Sequence, residues 1–344
     1  MKALLLSQYR HLELTDLATP TPGRAEILVR VAACGICGSD VHGYDGSSGR
    51  RIPPLVMGHE AAGTVADLGE NVTGFTRGDR VTFDSTVYCG ECANCRRGDI
   101  NLCDRREVLG VSCGDYRRAG AFAEYVTVPA RIVHRLPANL SFEEAALLEA
   151  VAVALHAVSL VPIAPGSTAL VVGAGTIGLL VQQALRVAGC SRVFVSDVDP
   201  TRLALSKELG AAETLSQDVS RQIAKLTNGA GVDVAIEAVG ATDPIGTAID
   251  CARKGGSVVL VGNVSPDVTI PLQKVVSRQI RLQGSCASAG EYPKAIELMS
   301  TGQIQVKPLI SAVAPLADGP QWFERLYSRE PNLMKVVLTP GIPS

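Results

Sequence analysis

Ala169-Leu170-Val171-Val172-Gly173-Ala174-Gly175-Thr176-Ile177-Gly178 reads as a buried strand running straight into a glycine-rich turn that opens a helix. Each glycine has a separate task in such a turn. Gly173 makes the tight bend, Gly175 lets backbone N–H groups approach a pyrophosphate, and Gly178 permits close packing of helix on sheet. Thr176 and Ile177 begin the helix, whose N-terminus favours phosphate charge. Asp197 lies 19 residues beyond Gly178 and ends the next apolar run, where a carboxylate accepts hydrogen bonds from an adenosine ribose. It would also repel a 2′-phosphate, so the pattern favours NAD over NADP. Arg202 is close by and is counted with the nucleotide-binding residues.

Working outward from this turn, Ala169–Val172, Val193–Ser196, Val232–Ile236 and Ser257–Val261 read as strands. Thr176–Val187 and Pro200–Leu209 read as helices between them. Strands alternating with helices at this spacing predict a doubly wound parallel α/β sheet. The first 135 residues have a different rhythm, with short strands broken by turns. Glu26–Val31 alternates polar and apolar residues after a Pro22-Gly23 turn, and Gly63–Val65, Asp79–Phe83 and Ala123–Val128 are similar. Ser141, with Glu144 three residues on, has the spacing of a capping box. The tail adds a predicted helix at Pro293–Met299 and a strand at Lys335–Leu338.

Between the two rhythms, residues 150–185 hold no Asp, Glu, Lys or Arg. Pro162, Pro165 and four glycines interrupt the stretch, so a membrane span of ~20 apolar residues is not the reading. The 344 residues suit two domains, each able to bury a core. A formal net charge of −2 gives no electrostatic footprint for nucleic acid.

Ten cysteines would suggest a disulfide scaffold if they were spread through a short secreted chain. Instead, four fall in 15 residues as Cys89-x2-Cys92-x2-Cys95-x7-Cys103. Four thiolates at that spacing can close a tetrahedral shell around one structural Zn²⁺. A ferredoxin-type run would end Cys-x3-Cys-Pro, and this one does not. Met1–Leu6 is too short for a signal-peptide core of about 7–15 apolar residues. Clustered thiols without an export signal point to a reducing, cytoplasmic setting. A second, dispersed set comprises Cys37 and, 22 residues later, His59-Glu60. These offer a thiolate, an imidazole and a carboxylate, the ligand types of a catalytic zinc with an open position. Ser39 and His42 sit near Cys37 with the chemistry to pass a proton outward. His11, His134 and His156 belong to no such constellation and read as surface or packing residues.

Gly58-His59-Glu60, Gly63, Gly69 and Val72 together resemble the zinc signature of the medium-chain alcohol and polyol dehydrogenases. The four-cysteine lobe and the dinucleotide turn follow in that family's order, so the resemblance spans essentially the whole chain. It implies a partly open, GroES-like β-barrel catalytic domain split over residues 1–153 and 290–344, with a Rossmann domain over 154–289. It also implies two zinc ions per chain, one catalytic and one structural, and NAD as hydride acceptor. Cys37 and His59 match two ligands of the catalytic zinc, with Glu60 and Glu149 as the candidates for the third. Glu149 stands where simple alcohol dehydrogenases place a cysteine, as in the sorbitol and threonine dehydrogenase branches.

On this resemblance the zinc acidifies a substrate hydroxyl, the proton leaves by Ser39 to His42, and hydride passes to the nicotinamide. The implied substrate is a secondary alcohol of a polyol, sugar, sugar phosphate or sugar acid. L-threonine and simple alcohols are the alternatives within the family. One departure bears on sorbitol itself: where sorbitol dehydrogenases carry an Arg-Tyr pair, this chain reads Ala287-Ser288. A zinc-independent reductase and a non-enzymatic binding protein on the same fold are the rival classes, and the complete ligand and nucleotide sets argue against both. The resemblance further implies a homodimer or homotetramer, with no nucleic-acid or membrane partner.

Overall fold

The computed structural model describes residues 1–341, and the chain separates into two compact units. One comprises Met1–Glu149, Tyr292–Ser300 and the chain from Val306 onward; the other comprises Ala150–Glu291 and Thr301–Gln305. The domain limits expected after residues 153 and 289 therefore fall after 149 and 291, and residues 301–305 return to the second unit. Two contacts explain these shifts. The Glu149 side chain accepts from Ser85 Oγ in the first unit (3.3 Å). The Gln183 amide bonds both to Gln305 N–H (2.8 Å) and to its carbonyl oxygen (3.0 Å) in the second.

In the second unit six parallel strands line up in the order Glu213–Leu215, Arg192–Ser196, Thr168–Val172, Val232–Glu237, Ala252–Leu260, Arg281–Gly284. The strand order reverses on either side of Thr168–Val172, and in such sheets ligands bind at the carboxyl ends of the strands flanking that point. Residues 169–172 are buried, as expected for a strand covered on both faces. The helix following the glycine turn spans Thr176–Val187, the bounds expected from sequence. The edge strand Arg281–Gly284 is half exposed and has no apolar run to betray it. Among the described residues no helix is long and apolar enough to cross a membrane. The uncharged stretch divides into helix Leu148–Ser159, strand Thr168–Val172 and the start of helix Thr176–Val187.

The first unit is built around the ten-residue strand Glu26–Gly35. It pairs antiparallel with Glu60–Leu68, Tyr125–Pro129 and Lys335–Thr339. The alternation read at Glu26–Val31 is only partial, because Leu28 is buried along with Ile27 and Val29. Helix Phe142–Ala145 packs against this strand and its neighbour Glu60–Leu68. That helix begins at the expected capping box: Ser141 Oγ accepts from Glu144 N–H and Glu144 Oε2 accepts from Ser141 N–H, both at 3.1 Å. Phe122 and Phe323 meet edge to face in the core, bringing the late segment onto the early one.

Candidate functional site

Strand Glu26–Gly35 ends at the site, and Cys37 follows it as the residue that caps the short helix Gly38–Gly43. Glu60 begins the neighbouring strand, with its Cα paired to Gly35, and His59 immediately precedes it. This pairing brings the Cys37, His59 and Glu60 donor atoms within 4.8 Å of one another. His59 is 5% and Glu60 1% exposed. A Cβ on Gly35 would collide with Glu60 Oε2, so any larger residue there would push Glu60 from its present place.

The surrounding charges hold these donors in place. Asp40 is fully buried behind His59, with Oδ1 3.4 Å from Nδ1, while Oδ2 accepts from the Cys37 N–H (3.3 Å). His59 Nδ1 is nevertheless buried without a hydrogen-bond partner. Such a carboxylate behind an imidazole is what orients a metal-binding histidine through its other nitrogen. Burial opposes a charge on His59, but Asp40 and Cys37 beside it outweigh that and hold its pKa well above the ordinary value. Asp40 is held down to about 2; burial works against this, and His59 and Arg51 overcome it. Lys335 Nζ donates to both oxygens of Glu60 (2.9 and 2.7 Å) and to the Ile36 carbonyl (3.1 Å). Glu149 lies outside the mutually close donor set. Burial pushes its carboxyl up to about 7, with Glu60 and Asp84 acting the same way and His59 and Lys335 against.

Ser39 and His42 are both exposed, one turn apart on helix Gly38–Gly43. His134 stacks on Tyr292 and His156 pairs with Glu291 (2.8 Å), so both serve packing and ion pairing. Sequence reading missed Asp40, Arg51 and Lys335. A lone charge opening the apolar run Lys335-Val336-Val337-Leu338 was the available signal for the last of these.

The four-cysteine lobe is local and half exposed. Cys92 caps helix Ala93–Arg97, and Cys89 Sγ accepts the Glu91 and Cys92 N–H groups (3.4 and 3.3 Å). Cys103 Sγ accepts the Cys89 and Arg105 N–H groups (3.2 and 3.4 Å). Backbone donors aimed at sulfur favour thiolates, and those from Glu91 and Cys92 hold Cys89 down to about 6. Cys89 and Cys95 Sγ are 3.9 Å apart. A tetrahedron with Zn–S bonds of about 2.3 Å has edges of about 3.8 Å, so the spacing fits zinc.

In the second unit Gly173 takes a positive φ of 98°, and a Cβ on Gly178 would collide with the Gly173 carbonyl oxygen. Nothing lies within 4 Å of the Cβ position of Gly175, leaving the room a pyrophosphate needs. Asp197 Oδ2 accepts the Ala174 N–H (2.6 Å), tying the turn to the end of the second strand. Beside it is a cavity of about 520 Å³ lined by Gly173, Asp197, Asp218, Val239 and Asp243, among others, with no lysine or arginine in its wall. Arg202 pairs instead with Asp199 (3.6 Å).

Both units match family models: residues 23–138 match the alcohol dehydrogenase GroES-like domain and residues 176–301 the zinc-binding dehydrogenase domain. The chain belongs to the zinc-binding alcohol dehydrogenase family. This dehydrogenase is 33% identical to the sorbitol dehydrogenase of Bacillus subtilis (strain 168), covering 99% of this chain and 98% of that one. It is 34% identical to the L-idonate 5-dehydrogenase of Vitis vinifera over 90% and 86% of the two chains. A solved structure of a protein assigned as a zinc-binding dehydrogenase, from Sinorhizobium meliloti 1021 and bound to NADP, superposes with a TM-score of 0.89 at 32% identity, covering 98% of this chain and 99% of that one. Zinc and a nicotinamide dinucleotide are the dehydrogenase's cofactors, and its reaction class is oxidation at CH–OH.

Proposed function

We propose that the chain oxidises a secondary hydroxyl of a polyol, sugar, sugar phosphate or sugar acid to a ketone, with NAD⁺ as hydride acceptor. The observation that carries this reading is the convergence of the Cys37, His59 and Glu60 donor atoms within 4.8 Å of one another, with the exposed pair Ser39 and His42 on the helix that Cys37 caps. The substrate class is supported by relatives named for sorbitol and L-idonate.

When bound, the zinc polarises the substrate hydroxyl as a Lewis acid and NAD⁺ accepts the hydride. The chain's own residues do the rest. Cys37, His59 and Glu60 would hold the metal, Asp40 orients His59, and Lys335 pairs with both oxygens of Glu60 inside the protein. Ser39 takes the substrate's proton and releases its own toward His42 and solvent. Cys89, Cys92, Cys95 and Cys103 hold the structural zinc. Gly173, Gly175, Thr176, Ile177 and Gly178 cradle the pyrophosphate.

Three carboxylates in the nucleotide cavity wall, Asp197, Asp218 and Asp243, favour NAD⁺ over NADP⁺. Like-charge juxtaposition costs several kcal/mol, so a preference of at least about 10²-fold in kcat/KM is expected. The test is NADH formation over a panel of polyols, sugar acids, sugar phosphates and L-threonine, before and after chelation, repeated with NADP⁺. Turnover of one class that chelation abolishes is the expected result. Turnover that survives loss of the catalytic metal sinks the mechanism.

The exposed apolar residues Val264, Val268, Leu272 and Val276, beside the open edge strand Arg281–Gly284, support association into a homodimer or homotetramer. Light scattering on the eluting protein decides this; a monomer at micromolar concentration refutes it. Metal-binding thiols that must stay reduced support a cytoplasmic location.

A further inference from the structure

Arg51 is 4% exposed and makes four hydrogen bonds from within the catalytic unit. Nε and Nη2 both donate to Asp40 Oδ1 (3.2 and 3.0 Å), and Nη1 donates to the Arg50 carbonyl (3.1 Å). Nη2 also donates to Ser39 Oγ (3.2 Å). Asp40 is fully buried, so a guanidinium that swung away would strip Oδ1 of both its hydrogen bonds and leave the carboxylate with only the Cys37 N–H and His59 beside it. The contact to Ser39 is therefore fixed by an ion pair on its other side.

We propose that Arg51 is the positioning residue of the proton relay, occupying one acceptor site of Ser39 Oγ so that the hydroxyl carries a proton along one line only, between the substrate side and the His42 side. This rests on Ser39 being the relay residue proposed above. A serine hydroxyl has one donor hydrogen and two acceptor sites. A relay link must accept one proton and release another. With Arg51 filling one acceptor site, what remains is one lone pair and one O–H, which is what the link requires. A guanidinium offers donors and no acceptor, so no proton passes back into the protein through it. In each turnover the substrate O–H proton moves onto Ser39 Oγ as the serine's own proton leaves toward His42 and solvent. The carbinol hydrogen departs as hydride to the nicotinamide, the C–O bond becomes C=O, and Ser39 ends with the proton count it began with.

The experiment is a double-mutant cycle on the zinc-loaded enzyme. Arg51→Lys keeps the charge, but its side chain ends one bond short of Nη2, so an ammonium that stays with Asp40 is drawn off Ser39 Oγ. Ser39→Ala is expected to lower kcat by about 10²-fold. Arg51→Lys is expected to lower it about tenfold, with KM for NAD⁺ unchanged. In the Ser39→Ala background Arg51→Lys should cost less than about twofold, because both changes break the same link. A crystal structure of Arg51→Lys should show Ser39 Oγ turned from its present rotamer, with Cys37, His59 and two zinc ions retained. Losses that multiply, or an unmoved Ser39 with zinc lost, would overturn the proposal and leave Arg51 as a brace for Asp40. If Ser39→Ala turns over like the parent enzyme, the relay reading itself fails and takes this inference with it. Should Arg51→Lys not fold, Arg51→Gln, whose amide can still donate to Asp40, serves in the same cycle.

Discussion

The two cysteine-containing metal sets are built in opposite ways. Cys89, Cys92, Cys95 and Cys103 come from one loop, and their sulfurs are held by neighbouring backbone N–H groups. Cys37, His59 and Glu60 come from the ends of two paired strands and are held by charges, one of them 275 residues from its partner. The first set ties a half-exposed lobe to itself. The second sits on a sheet that is already packed. Loss of metal should accordingly unfold the lobe, but disarm the pocket while its fold survives.

The largest expected effect tests the pocket. Cys37→Ala should lower turnover by at least about 10³-fold, the several kcal/mol that metal polarisation supplies, while the melting temperature moves little. Next comes the lobe, where structural zinc contributes apparent binding energies of about 10–16 kcal/mol in small peptides. Cys103→Ala should release one zinc per chain, lower the melting temperature and expose residues 89–103 to protease. Equal melting shifts for the two variants would erase the distinction between the regions.

A matched pair of ion-pair deletions probes it more finely. Lys335→Met removes the buried cation that both Glu60 oxygens face, and should cost about 3–5 kcal/mol in denaturant unfolding of the metal-free protein. Arg105→Ala removes the exposed partner of Glu91 and Cys89 on the lobe and should move the unfolding midpoint far less. If the two costs are similar, burial is not what separates the regions.

How far each region could be read from sequence follows the same division. The lobe and the turn Gly173–Gly178 are local, so spacing alone revealed them. The capping box at Ser141 and Glu144 was legible for the same reason. Cys37, His59 and Glu60 could be nominated from their chemistry, but their convergence depends on strand register, which no short window contains. Arg51 sits among Gly49, Arg50 and Ile52 with nothing periodic to mark it, and its partner Asp40 looked like one more polar residue of a short helix. Glu149 was nominated as a ligand because it stands where simple alcohol dehydrogenases place a cysteine. The structure puts it beside the donor set, held by Ser85. The half-exposed edge strand Arg281–Gly284 was missed because its alternation is only four residues long, Ile280-Arg281-Leu282-Gln283, before Gly284 ends it.

The pairing of Lys335 with Glu60 also sets an order of manufacture. The ribosome makes Glu60 early and Lys335 late, with the entire nucleotide-binding unit between them. Contacts so distant along the chain close late and slowly. The lobe can capture its zinc as soon as Cys103 has emerged. The catalytic pocket must keep Glu60 in water until the strand Lys335–Thr339 arrives beside Gly35. A nascent chain halted before that strand would carry one metal, the structural one, and no competent site for the other.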